Sequence, residues 1–301
     1  MLRQTFADVG TRAAAWVTGQ LARFEPLAGN ELDGRQLKRF SELAFVCACL
    51  TRPAPSAPGS AALLSEAARW QDFVRDHLEE PTYREAVRKT PALAYPLLFP
   101  YLQLRATGYR SPYHDATVER LASCGHPLVE ELLPYRRFER DLVLWNAGLA
   151  AEPAWDDLYE ATILARARRL SFLDIGDVYS ITHTVFYLSD MGRRRLEDDA
   201  RTERIASVLD SLVIHSWRLA DWDLLCELLL CLRLLSRPTA LGEPWCAAAA
   251  AFHQDGSLPS DRWARGGDAF AAAYHTTLVG VLLADSVLRV RDAPLWTPVR
   301  Q

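Results

Sequence analysis

Apolar residues recur at helical spacing along nearly the whole chain, and almost nowhere do they alternate with polar ones in the period of two that marks a strand. Runs of β-branched residues are few, and no Asn-Gly hairpin signal occurs. Pro and Gly fall between the periodic segments, at Pro53–Gly59, Gly108–Pro112, Gly125–Pro127, Pro153, Gly192, Pro238 and Gly266–Gly267. The pattern predicts an all-α chain.

Two kinds of helix alternate. Long amphipathic segments are predicted over Gln4–Phe24, Ala61–Leu78, Tyr113–Leu132, Trp155–Leu170 and Leu196–Trp217, and Trp245–His253 closes the series. Shorter segments, apolar on nearly every face, are predicted over Glu42–Leu50, Ala94–Arg105, Phe138–Leu149, Tyr179–Met191, Asp223–Leu235 and Tyr274–Arg289. A helix that is apolar all round is surrounded by protein, and an amphipathic one faces water. The second kind is therefore inner and the first outer.

The inner segments keep a period. Tyr95, Glu139, His183 and Glu227 follow one another at intervals of 44 residues, and His275 comes 48 later. One outer and one inner helix per unit make six helical hairpins, at roughly 1–52, 60–108, 113–150, 155–192, 196–237 and 243–290. An open stack of repeats needs polar capping units at its ends. The first and last inner segments are as apolar as the middle ones, so the expectation is one domain over 1–301, a closed (α/α)6 toroid. An open α-solenoid is the alternative.

A resemblance enters at the last unit. Ala247–Phe252, the turn His253-Gln254-Asp255-Gly256-Ser257 and the opening Tyr274-His275-Thr276-Thr277 resemble the hairpin of terpenoid-cyclase and prenyltransferase-like toroids. There an outer helix ends in a Gln-x-x-Asp-Gly-Ser-like turn and an inner helix begins on a Tyr-x-Thr-Thr-like cap. The likeness covers about one repeat, 245–288, and part of 155–191. The whole chain, with Thr182-His183-Thr184-Val-Phe-Tyr-Leu-Ser-Asp190, also resembles an uncharacterised family of bacterial helical proteins found beside natural-product enzymes. That resemblance implies specialised metabolism and brings no catalytic residues with it. Terpene cyclisation is not expected, because the chain lacks Asp-x-Asp-Asp and Asp-Asp-x-x-Asp. The nearest segments are Trp155-Asp156-Asp157, Glu197-Asp198-Asp199 and Asp174-Ile-Gly-Asp177.

Inner helices of such a ring turn one end to a central cavity, where ligands bind. His183 and His275 are the expected acid–base residues, since imidazole titrates near neutral pH. Tyr179 and Asp190 lie on the stripe of His183 and complete the catalytic set. Tyr95, Glu139, Asp177, Tyr187, Asp223, Glu227, Tyr274 and Thr276 are the expected binding residues. His183, Glu227 and His275 have the residue types of a zinc site. No short-range ligand spacing such as His-Glu-x-x-His accompanies them, so no metal or other cofactor is expected.

Composition narrows the remaining classes. The net charge is −4 with both signs interspersed, which argues against a dedicated nucleic-acid binder. Six cysteines without Cys-x-x-Cys spacing read as reduced thiols, most of them in apolar helices. The first residues, Met1–Asp8, lack a signal pattern. No apolar stretch reaches the ~18 residues of a membrane span; the richest, Leu224–Leu235, is broken by Glu227 and Arg233. The expectation is a cytoplasmic protein, with no membrane partner, whose central cavity takes a small-molecule or peptide intermediate. The alternative is a non-catalytic partner that supports a neighbouring biosynthetic enzyme.

Overall fold

The computed structural model describes residues 1–28, 31–52, 61–167, 169–260, 267–289 and 294–297. The Pro53–Gly59 break, Gly266 and the unit limits at 60 and 290 lie outside the described residues. Fourteen α-helices make up most of what is described: α1 (Leu2–Gly19), α2 (Gly34–Thr51), α3 (Ala61–Glu79), α4 (Pro81–Lys89), α5 (Ala94–Arg105), α6 (Pro112–Ser123), α7 (Pro134–Asn146), α8 (Trp155–Ala161), α9 (Ile163–Arg166), α10 (Ile175–Leu188), α11 (Ala200–Arg218), α12 (Trp222–Leu234), α13 (Glu243–Ala250) and α14 (Ala269–Arg289). A short antiparallel pair, β1 (Leu27–Ala28) with β2 (Glu31–Leu32), is the one sheet among the described residues. The chain is all-α.

Every helix expected from the pattern has a counterpart. The inner segments are α2, α5, α7, α10, α12 and α14, and the outer ones are α1, α3, α6, α8 with α9, α11 and α13. Three differences have local causes. Helix α4 was not foreseen: Glu80 is extended ahead of Pro81, which stops α3, and Pro81 then starts a new helix. The long segment Trp155–Leu170 is broken at Thr162, which is extended and whose hydroxyl donates to the carbonyl of Tyr159 (2.7 Å). The segment from Tyr113 stops at Ser123, where Gly125 takes φ +80° and the amides of Gly125 and His126 cap the carbonyls of Ala122 and Leu121.

The chain divides into two compact units. One contains Met1–Val17, Ala54–Leu63 and Ala154–Gln301; the other contains Thr18–Pro53 and Leu64–Pro153. In the second unit α2 packs on α5, and α5 on α7. Its core holds Phe40 edge-on to Phe73 (6.4 Å) and Tyr83, whose buried hydroxyl donates to the carbonyl of Leu97 (2.6 Å).

The centre of the first unit is α12, which packs against α10, α11, α13 and α14. Every residue from Asp223 to Arg233 is buried. Helix α1 joins through small residues: a Cβ on Gly10 would stand 2.6 Å from the Cβ of Ala284, so α1 and α14 approach at the Gly10 backbone. Trp16 stacks on Phe270 (5.9 Å).

Helix α14 corrects one expectation. Its 21 residues include a window of mean hydropathy 1.4, long and apolar enough to cross a membrane, with 83% of that window buried inside the protein. Its apolar residues, mainly Ala, Leu and Val, are interrupted by Tyr274, His275, Thr276 and Thr277, so no unbroken apolar run of that length marks it in the sequence.

Candidate functional site

Three inner helices place the candidate residues, and each begins on an acidic cap. Asp174 and Asp177 form a reciprocal capping box at α10: the Asp174 carboxylate accepts from the Asp177 amide (2.9 Å), and Asp177 accepts from the Asp174 amide (3.0 Å). Asp221 caps α12 by accepting from the Leu224 amide (3.3 Å). Asp268 accepts from the amide of Phe270 (3.1 Å) at the start of α14. The caps set where each helix begins, and thereby which residues of its first turns meet.

Two carboxylates of α12 stand at the centre. Asp223 is fully buried and Glu227 is 1% exposed, one helical turn apart on the same face. Hydroxyls from both neighbouring helices hold them. Tyr179 donates to Asp223 Oδ2 (2.5 Å), Thr276 to Asp223 Oδ1 (3.1 Å) and Thr182 to Glu227 Oε2 (2.5 Å). The thiol of Cys231 reaches the Thr182 carbonyl (3.5 Å), a further tie between α12 and α10.

Two partly exposed imidazoles flank the pair. His275 Nε2 lies 3.5 Å from Asp223 Oδ1 and 3.6 Å from Glu227 Oε1, bridging the two acids. His183 Nδ1 lies 3.9 Å from Glu227 Oε2 and donates to the carbonyl of Tyr179 (2.8 Å). That bond puts the proton of neutral His183 on Nδ1 and leaves a lone pair on Nε2. Tyr187 presents its ring edge-on to His183 (6.0 Å), and Tyr274 stacks on Phe270 (5.4 Å) beside His275.

Burial, and then the nearby carboxylates Asp223 and Glu227, push the Cys226 thiol up; burial and Glu227 do the same to Cys231. Both thiols stay protonated and inert at neutral pH. All six cysteines are free, and Cys124 and Cys246 are exposed rather than in the core.

The structure brings together Tyr179, His183, Asp223, Glu227, His275 and Thr276, with Tyr187 and Tyr274 beside the rings. It does not bring in Asp190. That residue lies past the far end of α10, about 16 Å along the axis from Tyr179 at 1.5 Å per residue. It sits there in a left-handed turn (φ +45°). Four residues apart had suggested one face, but eleven carry the stripe to the other end of the helix. Asp177 is occupied by its cap. Tyr95 (α5) and Glu139 (α7) belong to the second unit. There burial, and then the Glu139 charge, hold the Tyr95 phenol well above its ordinary pKa, while Glu139 pairs with Arg136 (2.9 Å). Thr182 was missed. Its signal was a polar residue one position before His183 in an otherwise apolar helix.

Two acids buried one turn apart repel each other, so Glu227→Gln is expected to stabilise the chelator-treated protein by about 1 kcal/mol. The amide keeps a carbonyl oxygen for the Thr182 hydroxyl and removes one charge. The midpoint of urea unfolding reads the effect. A loss of 1 kcal/mol or more would mean that the Glu227 charge is a structural partner of the imidazoles.

Fold and site together define an all-helical protein in which two buried carboxylates and two partly exposed histidines cluster on α10, α12 and α14. The family model described as a domain of unknown function (DUF6895) matches residues 10–284, and the chain belongs to that family. No curated protein and no solved structure matches it.

Proposed function

We propose that the cluster on α10, α12 and α14 is a functional site that binds a small-molecule or peptide intermediate and performs acid–base chemistry on it. The observation that carries the reading is the pairing of two buried carboxylates with two partly exposed histidines. Such groups are costly in a core and contribute little to packing. In this reading His183 moves protons through Nε2, Glu227 and Asp223 orient and balance the imidazoles, and Tyr179, Thr182 and Thr276 hold the acids in place.

The finer architecture belongs to the same proposal: six hairpins closing into a ring of the terpenoid-cyclase-like kind, with the site facing its cavity. What supports the repeat is the packing of α2 with α5, α5 with α7, α10 with α12, and α12 with α14, which a ring and an open stack share. Consecutive inner helices of a ring are neighbours. The bond between Tyr179 and Asp223 spans one 44-residue period. The open solenoid remains its rival. Specialised metabolism in the cytoplasm is the proposed setting, on the resemblance described above, and the burial of α14 supports reading it as a core helix.

The test is complementation in a producing strain from which this chain has been deleted. His183→Ala and His275→Ala are expected to leave the metabolite profile of the deletion unrestored while the proteins unfold within about 1 kcal/mol of wild type. Full restoration by both variants would sink the catalytic reading. It would favour the second one, a non-catalytic partner of a biosynthetic enzyme. That reading has its own observation: Leu128, Val129, Leu132 and Leu133 are all exposed between α6 and α7, an apolar patch suited to another protein.

A further inference from the structure

His275 Nε2 stands farther from the two carboxylates than a charge-assisted hydrogen bond would place it. It lies 3.5 Å from Asp223 Oδ1 and 3.6 Å from Glu227 Oε1. A charge-assisted N–H···O bond closes to ~2.7–2.9 Å. Ligand atoms held ~2.0–2.2 Å from a zinc-like ion stand about 3.3–3.6 Å apart when the angles are tetrahedral. The two His275 distances fall in that range, and one ligand atom from each of Asp223, Glu227 and His275 lies within 4.8 Å of the other two.

A second observation is independent of these distances. Glu227 is 1% exposed, and its Oε1 accepts no hydrogen bond among the described residues, although Oε2 accepts from Thr182. That oxygen is turned toward His275, 3.6 Å from its Nε2, with Asp223 one turn away on the same helix. The surrounding hydroxyls follow the logic of an outer shell. Tyr179 and Thr182 each bind the oxygen of their carboxylate that is farther from His275, and so turn the other oxygen inward. Asp223 Oδ1 also accepts from the Thr276 hydroxyl (3.1 Å), which fixes the carboxylate beside His275.

We propose that Asp223, Glu227 and His275 form a three-ligand site for a divalent transition-metal ion of the zinc class. A mixed set of two carboxylate oxygens and one imidazole nitrogen suits such an ion, and three protein ligands leave a position for water or a bound molecule. The set differs from the one read in the sequence: Asp223 replaces His183, whose Nδ1 is 3.9 Å from Glu227 and donates to the Tyr179 carbonyl. The proposal rests on the cluster being the functional site, and it changes the part of His275 from proton transfer to coordination.

The test titrates the chelator-treated full-length chain with Zn2+ by calorimetry and with Co2+ by visible absorption. One ion per chain is expected, with Co2+ bands of a four- or five-coordinate ion that vanish in His275→Ala. Glu227→Gln and His275→Ala should each weaken Zn2+ binding tenfold or more. Tyr179→Phe, which keeps all three ligands, should weaken it by roughly tenfold. No uptake by the wild-type chain overturns the proposal, and so does uptake unchanged in Glu227→Gln and His275→Ala. A chain that takes no ion but still needs His275 for complementation overturns the metal and leaves the acid–base site standing. Uptake that depends on His275, combined with full complementation by both histidine variants, supports the ion and overturns the functional reading beneath it.

Discussion

Gly256→Ala is expected to destabilise the first unit by on the order of 2–5 kcal/mol, the sum of left-handed strain and overpacking. Gly256 closes the turn after α13 with φ +94°, a conformation that a Cβ disfavours. The space is also taken. A Cβ at this position would stand 2.3 Å from the carbonyl oxygen of Arg12 and 2.8 Å from the amide nitrogen of Ala13, both backbone atoms of α1. No rotamer change relieves such a contact, so either the turn or α1 must move. The turn is otherwise well held. The Ser257 amide and hydroxyl both bind Asp255 Oδ1 (2.9 and 2.7 Å), and these bonds hold the Asp255 carboxyl below its usual range. The Leu258 amide donates to Thr277 on α14 (2.9 Å). A fall of roughly 10 °C in Tm should follow, at about 2–4 °C per kcal/mol for a chain somewhat smaller than this one. An unchanged Tm would mean that the turn does not dock on α1 in solution.

Trp245→Ala is expected to cost about 3–5 kcal/mol, the range for an aromatic side chain removed from a packed core. Trp245 is fully buried on α13 and meets Phe6 of α1 edge-to-face (5.9 Å). Its indole N–H donates to Thr239 Oγ1 (2.9 Å), and that hydroxyl in turn reaches the carbonyls of Leu241 (2.6 Å) and Leu295 (3.1 Å). The substitution therefore opens a cavity and takes a donor from a buried oxygen. Trp245→Phe separates the two effects: it keeps most of the apolar volume and loses the bond, for about 1–2 kcal/mol. Urea unfolding followed by hydrogen exchange of the α13 amides measures both. Equal costs for the two variants would show that the hydrogen bond, not the ring, stabilises this corner.

Much of the architecture was legible because helical periodicity is a local signal. Ala94–Arg105 was read with the same bounds the structure has, and the all-apolar run after Asp221 is the fully buried α12. Where the reading slipped, a single residue outweighed the pattern. Pro81 restarts a helix, and the hydroxyl of Thr162 competes for a helix carbonyl; neither alters the apolar period that was being followed. The tryptophans show the same limit. Trp145, Trp217 and Trp222 are half-buried, whereas Trp70 and Trp245 are fully buried, a difference that composition does not carry.

The site was legible in part and for a similar reason. Steps of 44 and 48 residues placed His183, Glu227 and His275 at equivalent heights, and the three do converge. Periodicity could not say which neighbour each would face. That depends on the rotation of each helix about its axis, which is set by caps and by packing on α12. Hence Thr182 and Asp223 turned out to hold central positions, and Asp190 fell at the wrong end of its own helix.

By itself, then, the sequence determined the helical class and the histidines and acids set within apolar segments. Those properties follow from side-chain chemistry and from a spacing counted along one chain. Their spacing of four puts Asp223 and Glu227 on one face, but only the tertiary structure decided that this face is buried, with His275 between the two acids and hydroxyls behind them. Distances of 3.5 and 3.6 Å between residues about fifty positions apart are properties of packed helices, and no local pattern encodes them.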